Sequence, residues 1–536
     1  MLKRGDVRHV GPVFTTFLFL MSPVFFCFGN LPLDDGLAVF RANSTNLDGS
    51  GQSVAQPEAS LTTDLLTWEV NPTNAYQTTA SYNYIDFKGT TNQFPNYLGY
   101  ESGHANSVGS IIYGFGTGVA PGVSHVDNLE ADYFLTNYVE NLTLPALGDT
   151  FINQSFTLGQ LNNTQLELVD NDYDNYSVQN GVLFISAANN LGNNPVVCAP
   201  GTSYNCISVG AYINGTYANS VGPTPDNGRC KPDLTANGAE TSYSTPMVTG
   251  AALVLEQAAL RGDGGPQSSD AENPLVLKAL LMNGALKTPD WTNSSSSPLD
   301  ARYGAGVMNL ANSYGELTGG KQPSTAHTTV SLGAAHPAYN SLQTIAATSA
   351  WDLGTNVSSP NSDGINHYLF QPATSFKNAG LTLTATLAWN RQLNQSGVNY
   401  LCLFLYDATL GTLAGCCTSR VDNVQHIHLN QLPPHRYDLQ VWKAGGIPGV
   451  KVVSSSETYA LTWAWVAPAL SFSQTATNTT LTWPWYPAGF DAETTTNLQA
   501  PAWSEAGLPP PTLTNGCYQI NLPESSGSQF FRLKSY

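Results

Sequence analysis

The chain has 536 residues, of which 42% are hydrophobic and only 11% charged, with 20 Lys and Arg against 38 Asp and Glu. This balance excludes a disordered polyelectrolyte, and the acidic net charge argues against nucleic acid as a partner. The length exceeds the size at which one hydrophobic core stops growing, so we expect several domains with a high content of β-structure.

The N-terminus is basic and then apolar. Basic residues precede a hydrophobic run from Val13 to Phe28, and small residues follow at plausible cleavage positions. This pattern predicts a secretory signal peptide over residues 1–29. Polar residues and a proline interrupt the run, so we expect cleavage rather than a membrane anchor, a secreted or cell-surface protein, and no membrane span afterwards.

The predicted secondary structure of the rest of the chain changes near residue 325, from alternating strands and helices to strands. Before that point, short apolar runs such as Gly181 to Ala188 alternate with helical segments such as Met247 to Ala259, which predicts an α/β domain with a largely parallel sheet. After it, runs such as Leu381 to Trp389 alternate as β-strands do, which predicts an antiparallel sandwich. The expected domains are an α/β domain over 30–322, a β-sandwich over 323–466 and a small C-terminal β module over 467–536.

One histidine precedes a helical segment of small residues. His104 lies in Gly103-His-Ala-Asn-Ser-Val-Gly109, and a Gly-Val-Ala-Pro-Gly turn follows at 118–122. Imidazole has an unperturbed pKa of about 6.5, which suits it to accept and return a proton near neutrality. A structural or exposed histidine is the more common interpretation of such a segment, so the local pattern alone makes His104 a candidate base without establishing that role.

An apolar strand ends in a polar turn at Phe184-Ile-Ser-Ala-Ala-Asn-Asn-Leu-Gly192. A side-chain amide at such a strand end can donate a hydrogen bond to the oxyanion of a tetrahedral intermediate. Asparagine is also common in turns for conformational reasons. The segment therefore offers an oxyanion donor without requiring one.

The strongest local pattern is Glu240-Thr-Ser-Tyr-Ser-Thr-Pro-Met-Val-Thr-Gly250, which leads into an apolar helix. Ser242 then lies at a helix N-terminus, where unpaired N–H groups and the helix dipole favour negative charge that develops beside a nucleophile. The same sequence is also typical of an ordinary helix N-terminus, with a capping serine and Pro246 in the first turn.

Taken together, these segments resemble the subtilisin-like serine proteases. The segments of Ser242, His104 and Asn190 are similar to the family motifs G-T-S-x-A-x-P-x-V-x-G, H-G-T-x-V-A-G and A-G-N-x-G. The resemblance implies that Ser242 is the nucleophile, His104 the general base and Asn190 an oxyanion donor. It also places Ser155, in Phe151-Ile-Asn-Gln-Ser-Phe156, in the strand that binds extended substrate.

The same resemblance requires an acid before the histidine in chain order. The family segment G-x-G-V-x-V-A-V-I-D-x-G corresponds to Gly49-Ser-Gly-Gln-Ser-Val-Ala-Gln-Pro-Glu-Ala-Ser60, with Glu58 in place of aspartate. We therefore expect Glu58 to orient His104. Asp64 and Asp86 remain alternatives.

Two further positions depart from the family pattern. Asn189 and Glu240 stand where the family has glycine, so we expect a left-handed backbone at Asn189 and a constricted or charged site floor at Glu240. With Glu58, these departures leave a second hypothesis, a catalytically impaired scaffold that acts as a surface or binding protein. An esterase of unrelated fold is disfavoured because no G-x-S-x-G elbow surrounds Ser242.

No cofactor is expected to be required. The acidic segment Asp170-Asn-Asp-Tyr-Asp174 offers oxygen ligands for calcium, but without the spacing of a known loop. His426 and His428 alternate on a predicted strand and could share a metal, although no third ligand is apparent. The resemblance implies a protein or peptide substrate, and we expect a monomer.

The cysteines suggest two disulfides. Cys198 and Cys206 bracket a short loop suited to a bond. Cys416 and Cys417 are adjacent, and a bond between them would be strained, so Cys402 is the better partner for one of them.

Overall fold

The computed structural model describes residues 35–536, except for 94–97, 142–143, 191–195, 267, 335–336, 340, 342, 372–379, 447–451, 467–468, 476, 485–489, 506, 515–516, 524–526 and 536. The predicted signal peptide over 1–29 lies outside the described residues. No helix within the described ranges combines the length and the apolar character that a membrane crossing requires.

The first part of the chain alternates between helices and strands. Its helices are α1 (Leu37–Asn43), α2 (Gly103–Tyr113), α3 (Ala131–Phe134), α4 (Asn163–Asn180), α5 (Thr241–Leu260), α6 (Ser268–Ala271), α7 (Pro274–Asn283) and α8 (Leu310–Thr318), with a π-helical turn over Leu135–Glu140. Its strands are β1 (Ser53–Glu58), β2 (Thr67–Glu69), β3 (Ser81–Ile85), β4 (Thr91–Gln93), β5 (Tyr100–Glu101), β6 (His125–Glu130), β7 (Phe151–Gln154), β8 (Leu183–Ala187), β9 (Ile207–Ile213), β10 (Thr216–Tyr217) and β11 (Leu234–Asn237).

Nine of these strands form one sheet in the order β10-β9-β8-β7-β1-β6-β3-β4, with β11 beside β9. All its neighbours pair in parallel except β9 with β10 and β3 with β4. Parallel strands need helical crossovers, and these cover both faces of the sheet. The prediction of an α/β domain with a largely parallel sheet is confirmed.

The parallel pairing brings three strand ends together. β1 ends at Glu58, β7 at Gln154 and β8 at Ala187, and β7 lies between the other two. Carboxyl ends of parallel strands share one edge of a sheet, and ligands of such sheets bind outside that edge. The segments that follow these strands therefore meet at one place.

Helix α5 runs through the centre of this part. It packs against β7, β8, β9 and α2, and its residues from Val248 to Leu255 are all buried. A helix that is apolar on all sides is stable only when other elements surround it. Burial thus fixes the position of the N-terminus of α5, where Ser242 lies.

From residue 326 onward, the regular elements among the described residues are all β-strands. The strands are β12 (Ala326–Ser331), β13 (Ser349–Val357), β14 (Ser362–Phe370), β15 (Leu381–Trp389), β16 (Leu401–Asp407), β17 (Thr412–Cys417), β18 (Val424–Leu432), β19 (Tyr437–Lys443), β20 (Ser456–Val466), β21 (Ser471–Gln474), β22 (Asn478–Pro484), β23 (Phe490–Thr495), β24 (Thr512–Thr514), β25 (Cys517–Pro523) and β26 (Phe530–Ser535).

These strands form antiparallel sheets. Two of the sheets, β12-β14-β19-β16-β17 and β13-β20-β15-β18, share one apolar core and make the predicted sandwich. The remaining strands form β21-β22-β25-β24 and β23-β26. Helix α7 packs against β15 and β20, which joins the sandwich to the α/β part. The predicted succession of an α/β region and β-rich regions is confirmed.

The predicted disulfides are not formed in the described structure. The Sγ of Cys206 is a buried thiol that donates to the carbonyl of Ser203 at 3.1 Å rather than bonding to Cys198. Cys417 faces Leu403 across the β16–β17 ladder, so Cys402 points to the opposite face of that sheet.

Cys416 does share a face with Cys402, but it lies opposite Phe404 in the ladder. Diagonal neighbours in a sheet lie about 7–8 Å apart, which is too far for a disulfide. The prediction failed because register, which the sequence spacing does not reveal, separates these thiols.

Candidate active site

The structure brings Glu58 and His104 into contact. The Nδ1 of His104 lies 2.9 Å from the Oε2 of Glu58, whose side chain is almost completely buried. His104 is the second residue of α2, whose N-terminus is fixed by a hydrogen bond from the N–H of Ala105 to the Oγ of Ser102. A carboxylate at Nδ1 holds the ring in the tautomer that leaves Nε2 free to accept a proton.

The two alternative acids are engaged elsewhere. Asp64 is exposed and accepts hydrogen bonds from Thr62 and from the N–H of Leu66 within its own turn. Asp86 accepts the N–H groups of Lys88 and Thr90 in the turn between β3 and β4. Of the three acids considered, Glu58 is the one whose carboxylate contacts His104.

The pKa of His104 is raised above the usual histidine value. Burial acts against this change by disfavouring the charged ring, but the attraction and hydrogen bond of Glu58 outweigh it, and the charge of Glu240 adds to the effect. A raised pKa makes the ring a stronger base, because the carboxylate stabilises the imidazolium form.

Ser242 is joined to Ser155 by a reciprocal pair of hydrogen bonds. The Oγ of Ser242 donates to the carbonyl of Ser155 at 3.2 Å, and the Oγ of Ser155 donates to the carbonyl of Ser242 at 2.9 Å. Pro246 has no N–H with which to satisfy that carbonyl within the helix, so Ser155 replaces the missing donor. Ser155 therefore ties the end of β7 to the first turn of α5.

The residue that follows Ser242 packs near the histidine. The ring of Tyr243, the next residue, is 6.3 Å from the His104 ring between centroids. Within the described part of the chain, the Oγ of Ser242 donates to Ser155 and not to His104. Hydrogen bonds between nucleophile and base are often loose without substrate and tighten when it binds.

Asn190 is held by the segment that carries Ser242. Its Oδ1 accepts two hydrogen bonds at 2.8 Å, one from the backbone N–H of Thr241 and one from the hydroxyl of the same residue. These bonds orient the other end of the amide, Nδ2, away from Thr241. The backbone N–H of Ser242 is in the first turn of α5, where no intrahelical acceptor exists. The bonds to Thr241 thus fix the side chain of Asn190 relative to the segment of Ser242.

The departures from the family motif have identifiable effects. Asn189 has φ +101°, so the positive φ expected there is confirmed. Glu240 is exposed and makes no capping hydrogen bond to α5, so it adds charge to the site rather than blocking it. Ser244 is buried, and its hydroxyl donates to the carbonyl of Glu240 at 3.3 Å.

The acidic segment considered for calcium is the middle of α4 rather than a loop. Asp170 forms a 2.7 Å ion pair with Arg229, and Asp174 forms one with Arg391 at the same distance, all of them buried. The two buried carboxylates, Asp170 and Asp174, are already matched by guanidinium groups, so they do not fit a calcium ion. No group of three or more His, Cys, Asp and Glu residues is arranged for a metal in the described ranges.

The histidine pair of β18 also does not resemble a metal site. His426 and His428 both lie about 6 Å from the ring of Trp291, at 5.9 and 5.8 Å, so they share a side as expected. Burial and then the charge of Lys287 lower the pKa of His428 to about 3. A nearby ammonium group opposes the binding of a second cation.

Sequence reasoning missed Gln56. Its Nε2 donates to the Oε1 of Glu58 at 2.8 Å, and its Oε1 accepts the hydroxyl of Tyr113 at 2.6 Å. A polar residue two positions before the acid on a buried strand shares its face, and that spacing was the available signal. The partner on α2 could not be read from the spacing.

Comparison with known proteins gives the family. The sequence profile of the subtilase family (peptidase S8) matches residues 33–306. No curated protein matches the chain significantly. Similar solved structures include the protease domain of PatA, with 19% identity over 51% of this chain and 98% of that one and a TM-score of 0.34.

Two others are a cold adapted subtilisin-like serine proteinase and fervidolysin from Fervidobacterium pennivorans, described as a keratinolytic enzyme related to subtilisin. The former is 22% identical over 49% of this chain and 89% of its own, with a TM-score of 0.32. The latter is 14% identical over 84% of this chain and 73% of its own, with a TM-score of 0.34. Since the profile match spans slightly more than half of the chain, the protein belongs to the subtilase family of serine-type peptidases.

Proposed function

We propose that this subtilase is an exported endopeptidase that uses a Ser-His-Glu variant of the family triad. The observation that carries the proposal is the 2.9 Å contact between Glu58 and His104 at the sheet edge where Ser242 also lies. Its substrates are proteins or peptides. Ser-His-Glu combinations perform the same chemistry as Ser-His-Asp in other hydrolases, so glutamate is chemically sufficient.

In the proposed mechanism, the Oγ of Ser242 attacks the peptide carbonyl while the Nε2 of His104 takes its proton. The oxyanion accepts hydrogen bonds from the Nδ2 of Asn190 and the N–H of Ser242. His104 then returns the proton to the leaving amine, the C–N bond breaks, and an acyl-enzyme remains. Water, deprotonated by His104, releases the acid and restores the serine hydroxyl.

Access to the site is consistent with this role. The side chains of His104, Asn190 and Ser242 are half-buried, whereas Glu58 is buried behind the histidine. Ser155 follows β7, where an extended peptide can add backbone hydrogen bonds beside the nucleophile. The reacting groups thus face solvent and the orienting acid does not.

A fluorophosphonate probe tests the nucleophile. The wild-type protein is expected to be labelled and to cleave a denatured protein substrate, and Ser242→Ala is expected to lose both properties. Ser244→Ala is the matched control because Ser244 lies in the same turn and the family motif has alanine there. Labelling that persists in Ser242→Ala would refute the assignment of the nucleophile.

The alternative role, an impaired scaffold that binds without hydrolysis, has a distinct signature. It requires a folded wild-type protein that the probe does not label and that releases no peptides. Export and the monomeric state also belong to the proposal, and each is tested by a separate measurement. N-terminal sequencing of protein recovered from the medium is expected to show cleavage near residue 29, and light scattering is expected to give the mass of one chain.

A further inference from the structure

We propose that Gln56 and Tyr113 are positioning residues that hold the carboxylate of Glu58 against His104. This inference rests on the proposed Ser-His-Glu mechanism and adds two residues to it that do not touch substrate. Without them, the glutamate side chain would be free to rotate away from the imidazole.

The carboxylate of Glu58 is fixed at both oxygens. Its Oε2 lies 2.9 Å from His104, and its Oε1 accepts the Nε2 of Gln56 at 2.8 Å. The same Nε2 donates to the carbonyl of Ala105 at 3.0 Å, in the helical turn that carries His104. Gln56 therefore bridges the acid and the helix of the base.

Tyr113 holds the Gln56 amide with its donor end toward the acid. An amide has a donor end and an acceptor end, and their assignment follows from the surrounding hydrogen bonds. Glu58 and the Ala105 carbonyl only accept, so Nε2 faces them, and the Tyr113 hydroxyl donates to the remaining Oε1 at 2.6 Å, which holds the amide in this orientation. Burial, followed by the nearby tyrosines and Glu58, raises the pKa of Tyr113, which keeps the hydroxyl protonated as a donor.

The network is closed to water. Gln56 and Tyr113 have no exposed surface, so solvent cannot replace a lost donor. A Cβ at position 109 would lie 2.4 Å from the Tyr113 hydroxyl, so the glycine there leaves the space that this hydroxyl occupies. Helix α2 thus supplies both the base at its start and the anchor of the acid at its end.

The substitutions in β1 support the same interpretation. Glu58 stands in place of the family's aspartate, and Gln56 stands in the same segment where the family motif has valine. Glutamate has one more rotatable bond than aspartate, so more conformational freedom must be lost to place its carboxylate. A valine could not restrain it, whereas a glutamine on the same face of the strand does so by a charge-assisted hydrogen bond.

The test compares Gln56→Met and Tyr113→Phe with the wild-type protein in steady-state cleavage of a peptide substrate. Gln56→Met is expected to lower kcat by about 10- to 100-fold, the effect of a lost hydrogen bond to a charged group, with little change in KM. Tyr113→Phe is expected to give a smaller loss in the same direction. The double variant is expected to match Gln56→Met because the two residues act through one contact.

A pH profile separates positioning from simple destabilisation. The charged and titratable groups that face the His104 ring are Glu58 from β1 and Glu240 and Tyr243 from α5. In Gln56→Met, the Glu58 carboxylate is expected to rotate away from His104. The imidazolium then loses its main electrostatic attraction and the pKa of His104 falls, so the acidic limb of kcat/KM is expected to move to lower pH. Reduced folding alone lowers the amount of active enzyme and leaves the limb in place.

Tyr84→Phe is the matched control. It removes a buried tyrosine hydroxyl from the neighbouring β3, where the hydroxyl donates to the carbonyl of Val70 at 2.8 Å. Its kcat and pH limb are expected to equal those of the wild type. If Gln56→Met shows normal kinetics while Glu58→Gln is inactive, the positioning role of Gln56 is wrong and the proposed triad remains intact. If Glu58→Gln is active, the triad itself is wrong.

Discussion

The side-chain oxygen of Asn190 accepts two hydrogen bonds from Thr241, one from the backbone N–H and one from the hydroxyl, both at 2.8 Å. The contact turns the N–H₂ group of the amide away from Thr241, the orientation that the proposed oxyanion role requires. We expect Asn190→Ala to lower kcat by about 100- to 1000-fold with little change in KM, because the donor acts on charge that forms only in the transition state. Steady-state kinetics on a peptide substrate measure both constants.

Thr241→Val is the companion to that variant. It keeps the shape of the side chain and the backbone N–H but removes one of the two bonds to Asn190, so we expect a loss of about 2- to 10-fold in kcat. If Asn190→Ala changed KM and left kcat unaltered, the residue would bind substrate rather than stabilise the oxyanion.

The contact of Glu58 with His104 predicts a strong dependence on the carboxylate. Glu58→Gln preserves the size of the side chain but favours the wrong tautomer of the imidazole, so we expect kcat to fall by about ten-thousand-fold. Glu58→Asp retains the charge but falls short of the ring, and we expect a loss on the order of 100-fold. Single-turnover measurements would show that the chemical step is the one affected.

The other acids provide the control for this prediction. Asp64→Asn changes an exposed turn and is expected to leave kcat unaltered. Should Asp64→Asn or Asp86→Asn abolish turnover while Glu58→Gln retains it, the acid of the triad has been assigned to the wrong residue.

Glu58, Ser155 and Asn190 could be placed from sequence through the family motifs, which mark segments at or just beyond the ends of parallel strands. Ser242 could be placed because a helix N-terminus has a recognisable start. The link from Tyr113 through Gln56 to Glu58 joins residues that are 57 positions apart, and only the packing of α2 on the sheet reveals it.

Tertiary contacts that the sequence does not reveal also explain why the acidic segment considered for calcium was misinterpreted. The segment Asp170 to Asp174 has a polar composition, but it lies within a helix, and its buried carboxylates Asp170 and Asp174 pair with arginines from distant parts of the chain. Partners that tertiary structure brings together override local preference, since burying an unpaired carboxylate costs more than an unfavourable helix residue.

Glu240 predicts a measurable pH effect. Burial lowers the pKa of His104, but the attraction of Glu58 and then of Glu240 raises it overall. The base acts in its neutral form, so the acidic limb of kcat/KM lies at this pKa, and Glu240→Gln is expected to move the limb to lower pH. Glu240 is exposed, so the difference from the wild type should shrink at high salt.

Glu505→Gln removes the same charge from an exposed position in the C-terminal β region and serves as the control. It should leave the pH profile unchanged. Equal shifts in both variants would mean that total charge, rather than the position of Glu240, determines the effect.

A buried acid away from the site predicts a gain in stability. Burial and then the negative charge of Asp127 raise the pKa of Asp149, so the folded state binds its proton more tightly than the unfolded state does. The free energy of unfolding therefore falls as the pH rises above the ordinary aspartate range, about pH 4. Asp149→Asn cannot ionise and can donate to Asp127, and we expect it to stabilise the protein by about 1–3 kcal/mol at pH 8.

Asp300 provides a control of opposite sign. Burial alone would raise its pKa, but hydrogen bonds from the side chain and backbone of Arg302 and from the N–H of Thr292 lower it overall. Its ionised form stabilises the folded state above the ordinary aspartate range, and that contribution is lost as the pH falls through the lowered pKa. Asp300→Asn should therefore lower the melting temperature at pH 8, where Asp149→Asn raises it. The effect of Asp149→Asn should be largely absent at pH 4, whereas the effect of Asp300→Asn should persist there, because it is lost only below the ordinary aspartate range. Calorimetry at pH 4 and pH 8 measures the change in melting temperature of each variant relative to the wild type. If Asp149→Asn is less stable than the wild type at pH 8, Asp149 is not an unfavourable buried charge.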